Sequence, residues 1–345
     1  MSFKLDLNIE NYFWESRCCM GCAMCKYGDW IYAPGIAPKS KKFIHDFAWV
    51  CPEWQWGKFD NWGATGRTRL INALFVGDLP WDEPLIHEAA FRCFSCGACD
   101  VGCKRNLDLE ILLMNQSLKV ALVERGFARP EHKGIIARIE KSGNYYGMDQ
   151  KIRKDWITDD IKVEDKADVL FFVGCWASYK YPEVAQATAR ILNKAGVPFM
   201  LLDEERCCGS LMYETGHLRE FRIAARATLE KIRQSGAKTV VCACGYCYKA
   251  LKVEYPKVLD MATSDLGFEV VHIAEFADKL RQEGKLSPKE ELKMRVTYHD
   301  ACSVGRLSEP WIPWEGIRDA EDWGKLKPPR QFRRGTNGCY EPPRN

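Results

Sequence analysis

The sequence predicts an α+β chain in two parts: a mostly helical, cysteine-rich part over residues 1–160 and an α/β part with a parallel sheet over residues 166–345. Three observations lead there. Thirteen of the seventeen cysteines fall into three groups, two of them inside the first part. Past the polar stretch Lys162-Val-Glu-Asp-Lys166, short apolar runs begin to alternate with amphipathic helical stretches, the pattern of a parallel sheet with helical crossovers. A chain of 345 residues is also long enough for two domains with cores of their own.

Each element follows from local pattern. In the first part, helical periodicity runs over 109–125 and 134–141, and both cysteine-rich loops lead into helices. Asn144-Tyr-Tyr-Gly-Met-Asp reads as a turn. In the second part the expected strands are 168–173, 198–202, 238–241, 268–273 and 294–298, with helices over 182–195 and 218–235. Cys175, Cys207-Cys208, Cys244 and Cys302 each lie just past an expected strand. The carboxyl ends of parallel strands face one crevice, so four separate segments are expected to converge there.

Charged residues make up 28% of the chain with a net charge of +3, which carries no signature of nucleic-acid binding. The N-terminus has neither a basic nor an apolar leader region, and no run approaches the length of a membrane span. Unevenly bunched cysteines do not read as a disulfide framework. The expected location is the cytoplasm, with membrane association only through a partner.

The cysteine groups carry the chemistry. The first is Cys19-Met-Gly-Cys22-Ala-Met-Cys25 with a separate Cys51-Pro52, and the second is Cys93-Phe-Ser-Cys96-Gly-Ala-Cys99-Asp-Val-Gly-Cys103. Closely spaced thiolates let one loop wrap an iron–sulfur cluster. This part resembles two-cluster ferredoxins, in which three cysteines of one run hold one cluster and the fourth holds the other. The resemblance implies two cubane [4Fe-4S] clusters, one on Cys19, Cys22, Cys25 and Cys103 and one on Cys93, Cys96, Cys99 and Cys51. Cys51 lies 26 positions after Cys25 instead of four, with a Trp-rich insertion between. Cys18 is an alternative to Cys19, which the regular spacing favours. Zinc sites also use CxxC units, but no His lies close to either run.

The third group is Cys175-x31-Cys207-Cys208-Gly209-x34-Cys244-x2-Cys247. With Phe171-Phe-Val-Gly-Cys175, Arg206-Cys-Cys-Gly-Ser210 and His299-Asp-Ala-Cys302-Ser-Val-Gly-Arg306, it resembles the CCG domain of the B and D subunits of heterodisulfide reductase. The helical part resembles the C subunit of that enzyme, fused in front as it is in the D subunit. The resemblance implies a noncubane [4Fe-4S] cluster on Cys175, Cys207, Cys208, Cys244 and Cys247. A vicinal pair closes a disulfide only with strain, yet can offer thiolates to neighbouring irons. Gly209 is expected to let the backbone pass close to them. The bland alternative is a redox-active dithiol at Cys244 and Cys247. After Cys302 the family pattern calls for another CCG and CxxC; here only Cys339 follows before Glu341-Pro-Pro-Arg-Asn345, so the second repeat reads as incomplete.

The expected function is an iron–sulfur electron-transfer subunit of an anaerobic multi-subunit oxidoreductase, relaying electrons through two cubanes to or from the noncubane site. Its expected partners are other subunits, a flavoprotein or a membrane cytochrome, docked on insertions at 28–52 and 310–329. Relatives of this architecture serve heterodisulfide reductases, anaerobic glycerol-3-phosphate dehydrogenases and class II benzoyl-CoA reductase complexes, and the lack of a membrane span leans toward the last. A catalytic disulfide reductase using Cys302 and His299 beside the cluster is the second reading. A zinc-stabilised binding module is the third. No dinucleotide fingerprint, phosphate loop or hydrolase triad is visible, so flavin or NAD would belong to a partner.

Overall fold

The computed structural model describes residues 2–26, 50–103, 109–288, 290, 293–319, 321–322, 325–328 and 338–344. The expected docking insertion at 28–52 falls almost wholly outside them. So does the expected insertion at 310–329 in part. The chain forms two compact units: Met1–Ala128 with Glu214–His217 and Trp314–Thr336, and Arg129–Tyr213 with Leu218–Pro313 and Asn337–Asn345.

The first unit is helical: α1 (Phe13–Cys18), α2 (Pro52–Gly57), α3 (Ala64–Val76), α4 (Pro84–Phe91), α5 (Ala98–Cys103) and α6 (Ile111–Glu124). Proline opens α2 and α4 in the first turn, where its missing N–H is no loss. Gly77, at φ 81°, ends α3 by donating to the carbonyls of Ala73 and Leu74, a left-handed stop that suits glycine. Every residue of α6 from Ile111 to Leu122 is buried, so this helix is the unit's central post. Ser2–Lys4 pairs antiparallel with Glu315–Asp319, which pairs with Lys325–Lys327.

The second unit contains α7 (Pro130–Ser142), β1 (Val169–Phe172), α8 (Gly174–Tyr179), α9 (Pro182–Lys194), β2 (Phe199–Met200), α10 (Ser210–Glu214), α11 (Leu218–Ser235), β3 (Thr239–Cys242), α12 (Gly245–Lys249), α13 (Tyr255–Val258), β4 (Glu269–His272) and α14 (Ile273–Gln282). The last residue of α10 falls in the first unit. All four strands are parallel, in the order β2-β1-β3-β4. The chain steps outward from β1 to β2 and then crosses back to β3, which makes a topological switch point between β1 and β3. One core packs Phe171, Phe199, Val241 and Val271 of the strands against Ala185, Ala189 and Leu192 of α9 and Phe276 and Leu280 of α14.

Two sequence expectations change. The boundary at 160–166 moves to 128/129, because α7 and the turn after it are tied into the α/β unit: Arg206 Nη2 donates to Glu140 O, and Cys207 N to Gly143 O at 2.7 Å. The expected strand at 294–298 does not form. Met294, Val296 and Tyr298 are 66%, 72% and 51% exposed. Alternation marks a stretch that fits a pleated surface, but a strand also needs a neighbour to complete its hydrogen bonds, and none of the described backbone supplies one.

Candidate metal centres

In the second unit five thiols meet. Cys175, at the start of α8, follows β1; Cys207 and Cys208 follow β2; Cys244 and Cys247 bracket the entry to α12 after β3. β1 and β3 flank the switch point, and their ends carry three of the five. Cys175, Cys207, Cys208, Cys247 and Cys244 influence one another's ionisation in that order, each thiol acting on the next. Donation to Cys207, helped by burial, pushes the Cys175 thiol well up. Cys207 is pushed up to about 12: its bond with Cys175 pulls it down, while its own donation to Cys208 and burial prevail. Hydrogen bonds from Cys207 and then Cys247 bring Cys208 down against its burial. The bond from Cys247 takes Cys244 down to about 6. Three buried and two half-buried thiols form a soft donor set that suits iron or zinc more than a hard cation.

Gly174 makes room for this set. It sits at φ 76°, and a methyl there would stand 2.8 Å from Cys247 Sγ. Gly209, the glycine singled out from the sequence, behaves differently: at φ 73° its methyl would meet Phe221 of α11 at 3.1 Å. Its role is the left-handed turn and helix packing; Gly174 is the residue that approaches sulfur. Buried polar groups brace the crevice. Glu205 accepts from the N–H groups of Val173 and Gly174, each at 2.8 Å, and pairs with Arg153. Lys249 and Glu254 form a buried pair at 2.9 Å. Ser210 Oγ donates to Glu254 at 3.0 Å, and Tyr255 OH donates to Cys208 O at 2.9 Å. The roles of Arg153, Glu205 and Tyr255 carry no sequence signature, because each is defined by a partner distant along the chain.

In the first unit the two CxxCxxC loops share one backbone path. Gly21 and Ala23 flank Cys22 at φ 74° and 64°, and Ser95 and Gly97 flank Cys96 at 53° and 73°. Left-handed residues on both sides of the middle cysteine turn the chain back on itself, so that successive thiols can face one point. Lys119 of α6 anchors the second loop, donating to Cys93 O at 2.8 Å and Ser95 Oγ at 3.0 Å. Around that loop, Cys51 donates to Glu53 at 3.2 Å, and burial lifts it to about 12. Burial also raises Cys99, followed by the influence of Asp100, Cys93, Cys96 and Cys25. Around the first loop, Cys25 Sγ lies 3.1 Å from Thr65 Oγ1. A methyl on Gly102 would stand 2.5 Å from Met24 O, so the end of α5, with buried Cys103, lies against the first loop. Cys22 is exposed, and Cys18 and Cys19 are half-buried at the end of α1.

The expected catalytic pair lies at and just past the end of the exposed stretch 293–299. His299 is exposed, with no hydrogen bond or ion pair among the described residues. Cys302 is half-buried with Ser303 Oγ at 4.0 Å. Its neighbours Ser303 and Val304 do reach the CxxC loop: a methyl on Gly245 would meet Val304 at 3.0 Å and Ser303 at 3.3 Å.

A parallel sheet whose strand ends gather cysteines, together with a helical unit bearing paired CxxCxxC loops, defines a component of an iron–sulfur oxidoreductase. Residues 169–252 match the cysteine-rich CCG domain. The chain is 34% identical over 302 residues to the D subunit of the dihydromethanophenazine:CoB–CoM heterodisulfide reductase of Methanosarcina mazei, covering 85% of this chain and 69% of that protein. It is 33% identical to the corresponding protein of Methanosarcina acetivorans with the same coverage. It is 30% identical to the EtfAB:quinone oxidoreductase of Syntrophomonas wolfei over 66% of this chain and 33% of that protein. The chain belongs to the family of heterodisulfide reductase D subunits. No solved structure matches it.

Proposed function

We propose that the chain relays single electrons within a multi-subunit oxidoreductase, through two cubane clusters on the helical unit and a noncubane cluster on the five-thiol crevice. The observation that supports this reading is the gathering of Cys175, Cys207, Cys208, Cys244 and Cys247 just past parallel strand ends, with Gly174 leaving room beside Cys247 Sγ. When bound, the clusters would supply reversible one-electron storage. The residues of the chain do the rest: α8 and α12 aim their thiols from either side of the switch point, Glu205 and Tyr255 hold the loops between, and Gly174 leaves space at the sulfurs. Crossed ligation in the helical unit, with Cys103 serving the first loop and Cys51 the second, is supported by Gly102 against Met24 and by the shared influence of Cys93, Cys51 and Cys99 on Arg67.

The relatives are named as a heterodisulfide reductase subunit and an EtfAB:quinone oxidoreductase, which favours a partner complex handling a disulfide or a quinone. The benzoyl-CoA reductase assignment leans on the absence of a membrane span; no described helix is long and apolar enough to cross one. The chain purified without oxygen should contain about twelve irons with matching acid-labile sulfide. Stoichiometric zinc with little iron or sulfide would refute the reading. A second reading, disulfide reduction with Cys302 as the reacting thiol, is favoured by the packing of Ser303 and Val304 on the CxxC loop.

A further inference from the structure

Arg67 stands on α3 with 1% of its surface exposed. Its Nε donates to Ala89 O at 2.7 Å, while its Nη2 is buried without a hydrogen-bond partner. No carboxylate among the described residues forms an ion pair with it. A lone guanidinium in such an interior is strongly unfavourable unless negative charge compensates it. Burial opposes its charge; Cys93 favours it most, followed by Glu53, Cys51 and Cys99. Three of those four are thiols of the second loop's site. The fourth is engaged elsewhere, since Glu53 already accepts from Phe94 N and Cys51 Sγ.

The first loop's surroundings differ. Lys26 beside Cys25 is neutralised by Asp60 at 2.6 Å. Arg69, near Gly21, is exposed, where water and salt screen it.

We propose that Arg67 is the resident counter-charge of the site formed by Cys51, Cys93, Cys96 and Cys99, and that it holds this site's reduction potential above that of the site formed by Cys19, Cys22, Cys25 and Cys103. This rests on the iron–sulfur reading above. Taking up one electron from a low-potential one-electron donor makes the site one unit more negative, with no bond made or broken. A fixed cation favours that reduced form over the oxidised one. An electron entering the helical unit therefore settles at the second loop. Arginine keeps its charge at every working pH, so the bias is constant, and Arg67 acts as a positioning residue for charge.

The test is an EPR-monitored redox titration of the anaerobically purified full chain, with iron and sulfide counted in every sample. In Arg67→Gln, the cubane signal that Cys96→Ser abolishes should become harder to reduce by about tenfold or more in its equilibrium, or about 59 mV for one electron. The other cubane should stay in place, and Arg67→Lys should restore most of the shift. Full iron and sulfide in Arg67→Gln with both midpoints unmoved would overturn the proposal and leave the iron–sulfur reading standing. A wild-type chain without iron and sulfide would instead remove that reading itself. Should Arg67→Gln fail to hold its clusters, Arg67→Lys decides. Retained clusters with a near wild-type midpoint support a charge role, and loss of clusters in both variants assigns Arg67 to packing and overturns the proposal.

Discussion

At the scale of single residues, backbone handedness organises both kinds of site. Ala23 and Ser95 hold left-handed φ values of 64° and 53°, which cost a side-chain-bearing residue about 1–2 kcal/mol. Lys119 offsets part of that cost at Ser95 by tying the loop to α6. Gly174 combines both demands, a φ of 76° and a sulfur within 2.8 Å of any added methyl. Gly174→Ala should therefore strip the five-thiol site while leaving the helical unit's clusters in place. About four irons of the total should be lost, with far-UV circular dichroism unchanged. An alanine variant with full iron content would show that the crevice has slack the structure does not display. The sequence pointed instead to Gly209, since adjacency to the cysteine pair is visible in one dimension and proximity to Cys247 is not.

At the scale of elements, the strand ends of the second unit are also helix starts, and their caps are part of the architecture. His272 ends β4 and caps α14: its Nδ1 accepts from Ala274 N at 3.3 Å, with Glu275 answering at the third helical position. An accepting Nδ1 must be unprotonated. Burial lowers the pKa of His272, outweighing its bond to the Ala243 backbone and the pull of Glu275. As pH falls below about 6.5 the unfolded histidine takes up a proton before the folded one does. The stabilisation is thus complete above that pH and is lost on acidification. His272→Asn keeps a capping acceptor that does not titrate. Thermal unfolding of the wild type should lose about 1 kcal/mol more than the variant between pH 7.5 and mildly acidic pH; superimposable melting profiles against pH would rule out this role. Neither the capping role of His272 nor its burial follows from the local sequence.

At the scale of the whole molecule, the placement of Cys302 separates relay from reductase. Cys302 is half-buried, and His299 is exposed. The chain should accept electrons into its clusters, as followed by EPR, yet reduce small disulfides negligibly when alone. Cys302→Ser should leave cluster reduction unchanged. Efficient disulfide turnover by the purified chain, abolished by Cys302→Ser, would favour the reductase reading over relay.

The sequence by itself determined which thiols share a loop. Short spacings place Cys19, Cys22 and Cys25, or Cys93, Cys96 and Cys99, on one loop whatever the remaining fold does, and buried apolar runs followed by glycine or cysteine mark strand ends in any parallel sheet. Four of the five expected strands and the helix Leu218–Ser235 follow from such local patterns. What only the tertiary structure decided is everything that needs a distant partner. The stretch at 294–298 alternates correctly but has no neighbouring backbone among the described residues. The division after Ala128 is set by ties from Arg206 and Cys207 to α7 and the turn behind it. Arg67 and Lys119 resemble ordinary surface cations on paper, since nothing in their local sequence reveals that α3 and α6 are buried beside the second loop. Local periodicity encodes which face of an element is apolar; which charged group on it ends up against a thiol is a property of the packed molecule.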